Sequence, residues 1–254
     1  MSELAKVQEL LKYLNLNESA AKLEDMLSSA AFKNNTPLEV IRTLLEYESE
    51  SRREKGIIKR TKAAAFPYWD TIESFDFNRK GFRGITKLHM KQLSELIWLE
   101  SAFNIMFLGP PGLGKTRLSI GLGIKAIDAG YNVAFVTLEQ LMQLLKTEEI
   151  RTKSSRRVKQ IKNSDLVILD EVGFLPISRQ EVNKLYEFIN ELYMKTSIIL
   201  TSNKGFEEWS EFLGDSVITA AILDRLAHQC EIFTLEGPSW RIENRKTILN
   251  GLEK

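Results

Sequence analysis

The chain has 254 residues, 43% hydrophobic and 27% charged, with a formal net charge of +1, the balance of a globular protein able to bury a core. Near-neutrality confines any nucleic-acid contact to local patches, and one cysteine with two histidines excludes an internal disulfide framework and makes a structural zinc site improbable. No secretory signal and no membrane-spanning apolar run is evident, so the chain is expected to be cytoplasmic, in a reducing setting and without membrane contact.

The first sixty residues read as helices. Leu4, Val7, Leu10, Leu11 and Leu14 recur at helical spacing, as do Leu23, Met26, Leu27 and Ala30. Thr36-Pro37-Leu38-Glu39 is a start signal, with Thr36 as N-cap, Pro37 in the first turn and Glu39 closing a capping box. Leu38, Ile41, Leu44 and Leu45 then form a stripe, and about three short helices are expected. A basic stretch follows, with Arg52, Arg53, Lys55, Lys59, Arg60 and Lys62 against Glu54 alone, and Pro67 breaks any continuing helix. The boundary therefore falls at 62–67, giving an all-helical N-terminal domain over 1–66 and a second domain over 67–254.

From Ile105 onward strand and helix patterns alternate, which argues for a parallel sheet flanked by helices. The expected strands are Ile105–Leu108, Val133–Val136, Leu166–Leu169, Ser197–Leu200 and Glu231–Leu235. The expected helices are Lys115–Ala129, Leu138–Lys146 capped by Thr137, Gln180–Met194 and Ala220–Ala227. Cys230, before the apolar Ile232-Phe233, reads as a buried inert thiol.

Between the first strand and its helix stands Gly109-Pro110-Pro111-Gly112-Leu113-Gly114-Lys115-Thr116, followed by Arg117. This is a complete phosphate-binding loop in its required strand–loop–helix context. Its glycines let the backbone turn N–H groups onto a polyphosphate. Lys115 reaches the β- and γ-phosphates, and the Thr116 hydroxyl suits Mg²⁺. The expected ligands are ATP and Mg²⁺.

Leu166-Val167-Ile168-Leu169-Asp170-Glu171 is an apolar strand ending in two acids. Asp170 is placed to hold the Mg²⁺ shell opposite Thr116, and Glu171 to polarise the attacking water. The fourth strand ends in Thr201-Ser202-Asn203, where ring-forming ATPases carry a polar residue beside the γ-phosphate; Asn203 fits that place. Arg225 stands where one subunit of such a ring offers an arginine finger to its neighbour. The bland alternative is a surface arginine paired with Asp224 or Glu231. Arg241, in Ser239-Trp240-Arg241, is a candidate second sensor of the phosphates. Phe75 or Phe77, in the segment before the core, could pack near the adenine.

A cluster of cations lies between the second and third strands: Arg151, Lys153, Arg156, Arg157, Lys159 and Lys162, with no acid among them. A solvated face is the default for such a run, and contact with duplex backbone is the sharper reading. The stretch Arg52–Lys62 is a second candidate.

The order of phosphate loop, Leu-Asp-Glu strand, Thr-Ser-Asn strand end, Asp-Arg-Leu and Ser-Trp-Arg resembles the AAA+ ATPases of the IstB/DnaC family. The likeness is strongest to its IstB branch, the helper ATPases of insertion-sequence transposition. It covers Phe66 to the C-terminus and includes Ala65-Phe66-Pro67 and Ser74-Phe75-Asp76-Phe77. The resemblance implies an AAA+ core with an absent or minimal C-terminal lid, a homo-oligomer promoted by ATP and DNA, binding to double-stranded DNA, and regulation of the transposase of the same insertion sequence. A replicative helicase loader of the DnaC type shares the core and is the alternative. A small-molecule kinase would use the same loop as a monomer, and Asn203 with Arg225 speaks against it.

Overall fold

A computed structural model of the chain describes residues 1–29, 35–173 and 178–245. The chain divides into two compact units, Met1–Lys59 and Arg60–Lys254.

The first unit is helical. Helix α1 (Glu3–Tyr13) is capped by Ser2, α2 (Asn17–Ser28) follows, and α3 spans Pro37–Ala64. Thr36 and Glu39 form the expected capping box, Thr36 N donating to the Glu39 carboxylate at 2.7 Å. Instead of three short helices the described residues form two short ones and one of 28 residues. The basic stretch does not interrupt α3, because its cations find acids outside their own window. Arg52 pairs with Glu48 at 2.9 Å, Arg53 with Glu50 at 2.7 Å, and Lys55 with Glu18. Leu23, Met26 and Leu44 make the small core, with Leu4, Leu11 and Val40 against it. Val7, Leu10, Leu14, Leu38 and Ile41 of the anticipated stripes remain exposed, and Ala30 lies outside the described residues. The N-cap of α2, Leu16, offers no capping side chain. Buried Glu48 supplies the acceptor instead, taking the N–H groups of Glu18 and Ser19 at 2.9 and 3.0 Å.

The second unit is built on β1 (Asn104–Leu108), β2 (Val133–Thr137), β3 (Leu166–Val172), β4 (Ser197–Ser202) and β5 (Cys230–Thr234). All pairings are parallel and the order is β2-β3-β4-β1-β5. β1, and β3 up to Asp170, are buried along their length, as strands covered on both faces must be. Two short helices, α4 (Lys87–Leu93) and α5 (Ile97–Glu100), precede the sheet. Within it come α6 (Lys115–Asp128), α7 (Leu138–Thr147), α8 (Thr152–Lys162), α9 (Arg179–Leu192), α10 (Trp209–Leu213) and α11 (Ser216–Ala227), with α12 (Trp240–Glu243) after β5. The five strands and the helices anticipated between them are present, with ends shifted by a few residues. Thr137 caps α7 as expected.

Helix α8 is an addition to the sequence reading. Its polar composition masks three inward residues, Ser154, Val158 and Ile161; Val158 and Ile161 join α7 and β2 in the main core, and the Ser154 hydroxyl bonds that of Thr147 at 2.8 Å. The units divide somewhat before the anticipated 62–67 boundary. Arg157 Nη1 and Gln160 Nε2 of α8 both donate to Ala63 O at 2.8 Å, tying the last turn of α3 to the sheet unit. Among the described residues no helix is long and apolar enough to cross a membrane. Residues beyond Arg245 lie outside those described.

Candidate functional site

Buried β1 delivers the chain into the loop, and α6 begins at Lys115 with Gly114 as its N-cap. The loop is shaped by what presses on it. Gly112 and Gly114 stand at φ +82° and +94°. A Cβ on Gly112 would collide with Ser239 Oγ, and one on Gly114 would sit 2.5 Å from Phe75 Cε2. Two loop carbonyls are held from outside. Trp240 N donates to Gly112 O at 3.0 Å, and Arg79 Nη2 donates to Leu113 O at 2.8 Å. Leu113 itself is fully buried as the loop's anchor.

A cavity of about 640 Å³ opens beside the loop, lined among others by Pro111, Lys115, Thr116, Arg117, Glu171, Thr201, Asn203 and Arg241. Lys115 Nζ donates to Gly109 O at 2.5 Å and Pro110 O at 2.8 Å. Burial pushes its ammonium down to about 8, opposed by Asp170 and Glu171 and reinforced by Arg241. Thr116 Oγ1 lies 2.9 and 3.1 Å from the two Asp170 oxygens. Burial raises the Asp170 carboxyl above its ordinary value, and hydrogen bonds from Thr201 and Thr116 and the charge of Lys115 oppose the rise.

The two acids are presented by a bulge. Leu169 pairs with Leu200 and Val172 with Ser202, so Asp170 and Glu171 together face Thr201. The extra residue turns Asp170 inward, 3% exposed, while Glu171 is exposed with φ at +59°. Such bulges re-aim side chains next to reactive sites, and a left-handed glutamate costs local strain. Asp170 with the Thr116 hydroxyl is a hard-oxygen pair suited to Mg²⁺, and the glycine-shaped loop has the space a phosphate chain needs.

Sequence-predicted positions thus meet around one cavity: Pro111, Gly112, Gly114, Lys115 and Thr116 of the loop, with Arg117, Glu171, Asn203 and Arg241, and Asp170 bonded to Thr116. Arg117 serves a further purpose, pairing with Asp70 at 2.5 Å and donating to Ser74 Oγ at 2.8 Å. This ties the preceding segment to α6. Phe75 lines the cavity, whereas Phe77 stands behind it, its ring 4.7 Å from that of Phe75. Sequence reasoning missed Tyr68, Asp70 and Arg79 as cavity residues because nothing local marks them, and it gave Trp240 no role of its own within Ser239-Trp240-Arg241. Thr201 was legible as the polar residue breaking the apolar run of β4.

Arg225 is not part of this cavity lining. It stands on α11 against α9, bonded to Asn190, Ala221 and Tyr186. Among the described residues neither Asp224 nor Glu231 forms an ion pair with it.

The cation cluster separates into two kinds. Arg151, Lys153, Arg156 and Lys159 are exposed, and 153, 156 and 159 follow one another on one stripe of α8. Arg157 is turned inward: its guanidinium donates to Ala63 O at 2.8 Å and Phe135 O at 2.9 Å, and burial lowers its pKa. Lys162 pairs with Glu191 at 2.9 Å. Both are engaged in holding the fold. Cys230 is half-buried, its thiol pushed up to about 12 by burial and the nearby Glu231.

Comparison with known proteins adds identity to this geometry. The family model described as "IstB-like ATP binding protein" matches residues 9–248. The ATP-binding protein ascribed to insertion sequence IS21 of Pseudomonas aeruginosa is 37% identical over 240 residues, covering 94% of this chain and 90% of that one. Its counterpart in Bacteroides fragilis is 34% identical over 242 residues, covering 95% and 91%. Among solved structures, that of DnaI superposes with a TM-score of 0.54 at 17% identity, covering 67% of this chain and 89% of the other. The initiator DnaA bound to AMPPCP and single-stranded DNA gives 0.51 at 22% identity, covering 66% and 50%. At that identity these two establish the fold alone.

Proposed function

Because the chain belongs to the family of IstB-like ATP-binding proteins, we propose that it is an insertion-sequence ATPase that assembles on target DNA and regulates the partner transposase. The observation that carries this reading is the 2.9 Å contact between Thr116 and Asp170, with Lys115, Glu171 and Asn203 around the same cavity.

In this reading ATP lies with its β- and γ-phosphates on the loop amides. Lys115 exchanges the carbonyls of Gly109 and Pro110 for phosphate oxygens. Thr116 and Asp170 would hold Mg²⁺, which neutralises phosphate charge during transfer. Glu171 accepts a proton from the attacking water as its oxygen bonds to the γ-phosphorus and the bond to the β,γ-bridging oxygen breaks. Asn203 orients that water, and Arg241 reports on the phosphates from the core. Arg225 is given to the neighbouring subunit's site, so hydrolysis belongs to the homo-oligomer.

Duplex DNA contacts the exposed cations of α8, sequence-independently and with strong salt sensitivity. The helical domain over 1–66 serves self-association or transposase docking. ATP favours the DNA-bound assembly, and hydrolysis releases it.

The test is ATP turnover by the purified chain with and without duplex DNA, beside Lys115→Ala, together with co-purification against the transposase and a hexameric helicase. DNA-stimulated, Lys115-dependent turnover and capture of the transposase are expected. A monomer turning over at the same rate without DNA overturns the reading, and capture of the helicase alone replaces it with the loader.

A further inference from the structure

The surroundings of Arg225 go beyond what a surface arginine needs. An arginine has five N–H donors in a planar fork. Here Nε donates to Asn190 Oδ1, Nη1 to Ala221 O and Nη2 to Tyr186 OH, each at 2.9 Å. The guanidinium carbon also stands 4.8 Å from the centre of the Tyr186 ring. Among the described residues one N–H on each terminal nitrogen is left unused, the number a bidentate grip on a phosphoryl group requires.

Every one of these partners is neutral. Among the described residues no carboxylate forms an ion pair with Arg225, although Asp224 adjoins it in sequence. A carboxylate would fix the side chain equally well but would cancel the charge that transferring phosphate oxygens attract. A hydroxyl, an amide oxygen, a carbonyl and an aromatic face fix it and leave the charge intact.

The network is also unnecessary for joining its two helices. Val182, Leu185, Phe188, Ile189 and Leu192 of α9 are buried, and so are Ile222 and Leu226 of α11, in one apolar core. Left free, a long arginine would lose roughly 2 kcal/mol of rotamer freedom on engaging a ligand. Held in advance, it loses much less.

We infer that Tyr186 and Asn190 are positioning residues for Arg225, fixing its charged fork within its own subunit for use on the nucleotide of the adjoining one. This rests on the proposed role of Arg225 in trans. They touch no reacting atom and act only through the arginine.

Mixed oligomers test it. An Arg225→Ala subunit keeps its own ATP site but donates no finger, and a Glu171→Gln subunit donates a finger but has a disabled site. Each alone is expected to be nearly inactive, and their mixture to regain turnover at interfaces where the second serves the first. Adding Tyr186→Phe or Asn190→Ala to the Glu171→Gln subunit should lower the regained turnover about tenfold through kcat, the worth of a hydrogen bond to a charged group, with KM unchanged. The same change on the Arg225→Ala subunit should have no effect. Asn190 is exposed, so its replacement leaves folding intact even where Tyr186→Phe does not. Equal loss on either subunit, or loss on neither, overturns the positioning role. A mixture that regains nothing overturns the role of Arg225 in trans, a separate and recognisable failure.

Discussion

Thr201 Oγ1 donates to Asp170 Oδ1 across 2.6 Å inside the sheet, and the same oxygen accepts the Glu171 N–H at 3.0 Å. One buried hydroxyl therefore fixes the carboxylate of the first acid and the backbone of the second. Thr201 is 1% exposed, and an isosteric valine leaves no room for a water in place of its hydroxyl. Thr201→Val should lower stability by about 1–2 kcal/mol, because a buried acceptor loses its donor. It should also raise the Mg²⁺ concentration needed for half-maximal turnover, whereas Thr201→Ser should restore both. A thermal melt and a Mg²⁺ titration of ATP turnover measure the two effects.

Glu171→Gln keeps the shape of the bulge but removes the proton acceptor. Turnover should fall by about 10²–10⁴, the usual worth of a general base, while ATP binding persists and the DNA-bound assembly accumulates. Nucleotide-binding fluorescence and sedimentation with duplex DNA check this. Wild-type hydrolysis in the variant would remove Glu171 from its assigned role.

The cations of α8 should divide by orientation. Lys153→Ala, Arg156→Ala and Lys159→Ala should each weaken duplex binding and flatten its salt dependence by about one counterion, with unchanged melting. Arg157→Ala should instead lower the melting temperature, since it removes the Arg157 donor from the Phe135 carbonyl and one of the two side-chain donors, the other being Gln160, from the Ala63 carbonyl. DNA affinity at several salt concentrations, read beside melting curves, distinguishes the two classes.

Glu181 offers a pH test independent of function. Burial alone would raise its pKa, but Lys146 at 2.8 Å and the hydroxyl and amide of Ser178 bring it down to about 2. A depressed carboxyl contributes stability that is complete above its unfolded value near 4.5 and is lost as pH falls toward 2. Denaturant unfolding between pH 6 and about 3 should show this loss, and Glu181→Gln should abolish that part of the slope while costing about 1–2 kcal/mol at neutral pH.

Much of this molecule was legible before its fold. The phosphate loop announces itself because backbone curvature and phosphate chemistry demand fixed residues at fixed spacing. The strands announce themselves because a strand buried on both faces must be apolar throughout. Thr36-Pro37-Leu38-Glu39 and Thr137 were equally readable, since a helix cap is satisfied within four residues. Less legible was α8, whose three buried residues are outnumbered by cations, and α3, whose cations looked uncompensated until Glu18, Glu48 and Glu50 were brought beside them.

What the sequence determined by itself is local: the loop, the caps, the five strands and the acids at the end of β3. Only the tertiary structure decided which charges remain available. Arg157 and Lys162 are consumed by carbonyls and an acid, and Arg52, Arg53 and Lys55 by acids. Among the described residues Arg225 has only neutral partners. The physical reason is that a side chain's charge is cancelled or preserved by groups within a few ångströms, and chain folding chooses those groups from anywhere in the sequence. Asn190 and Tyr186 lie 35 and 39 residues from the arginine they hold, beyond the reach of any motif.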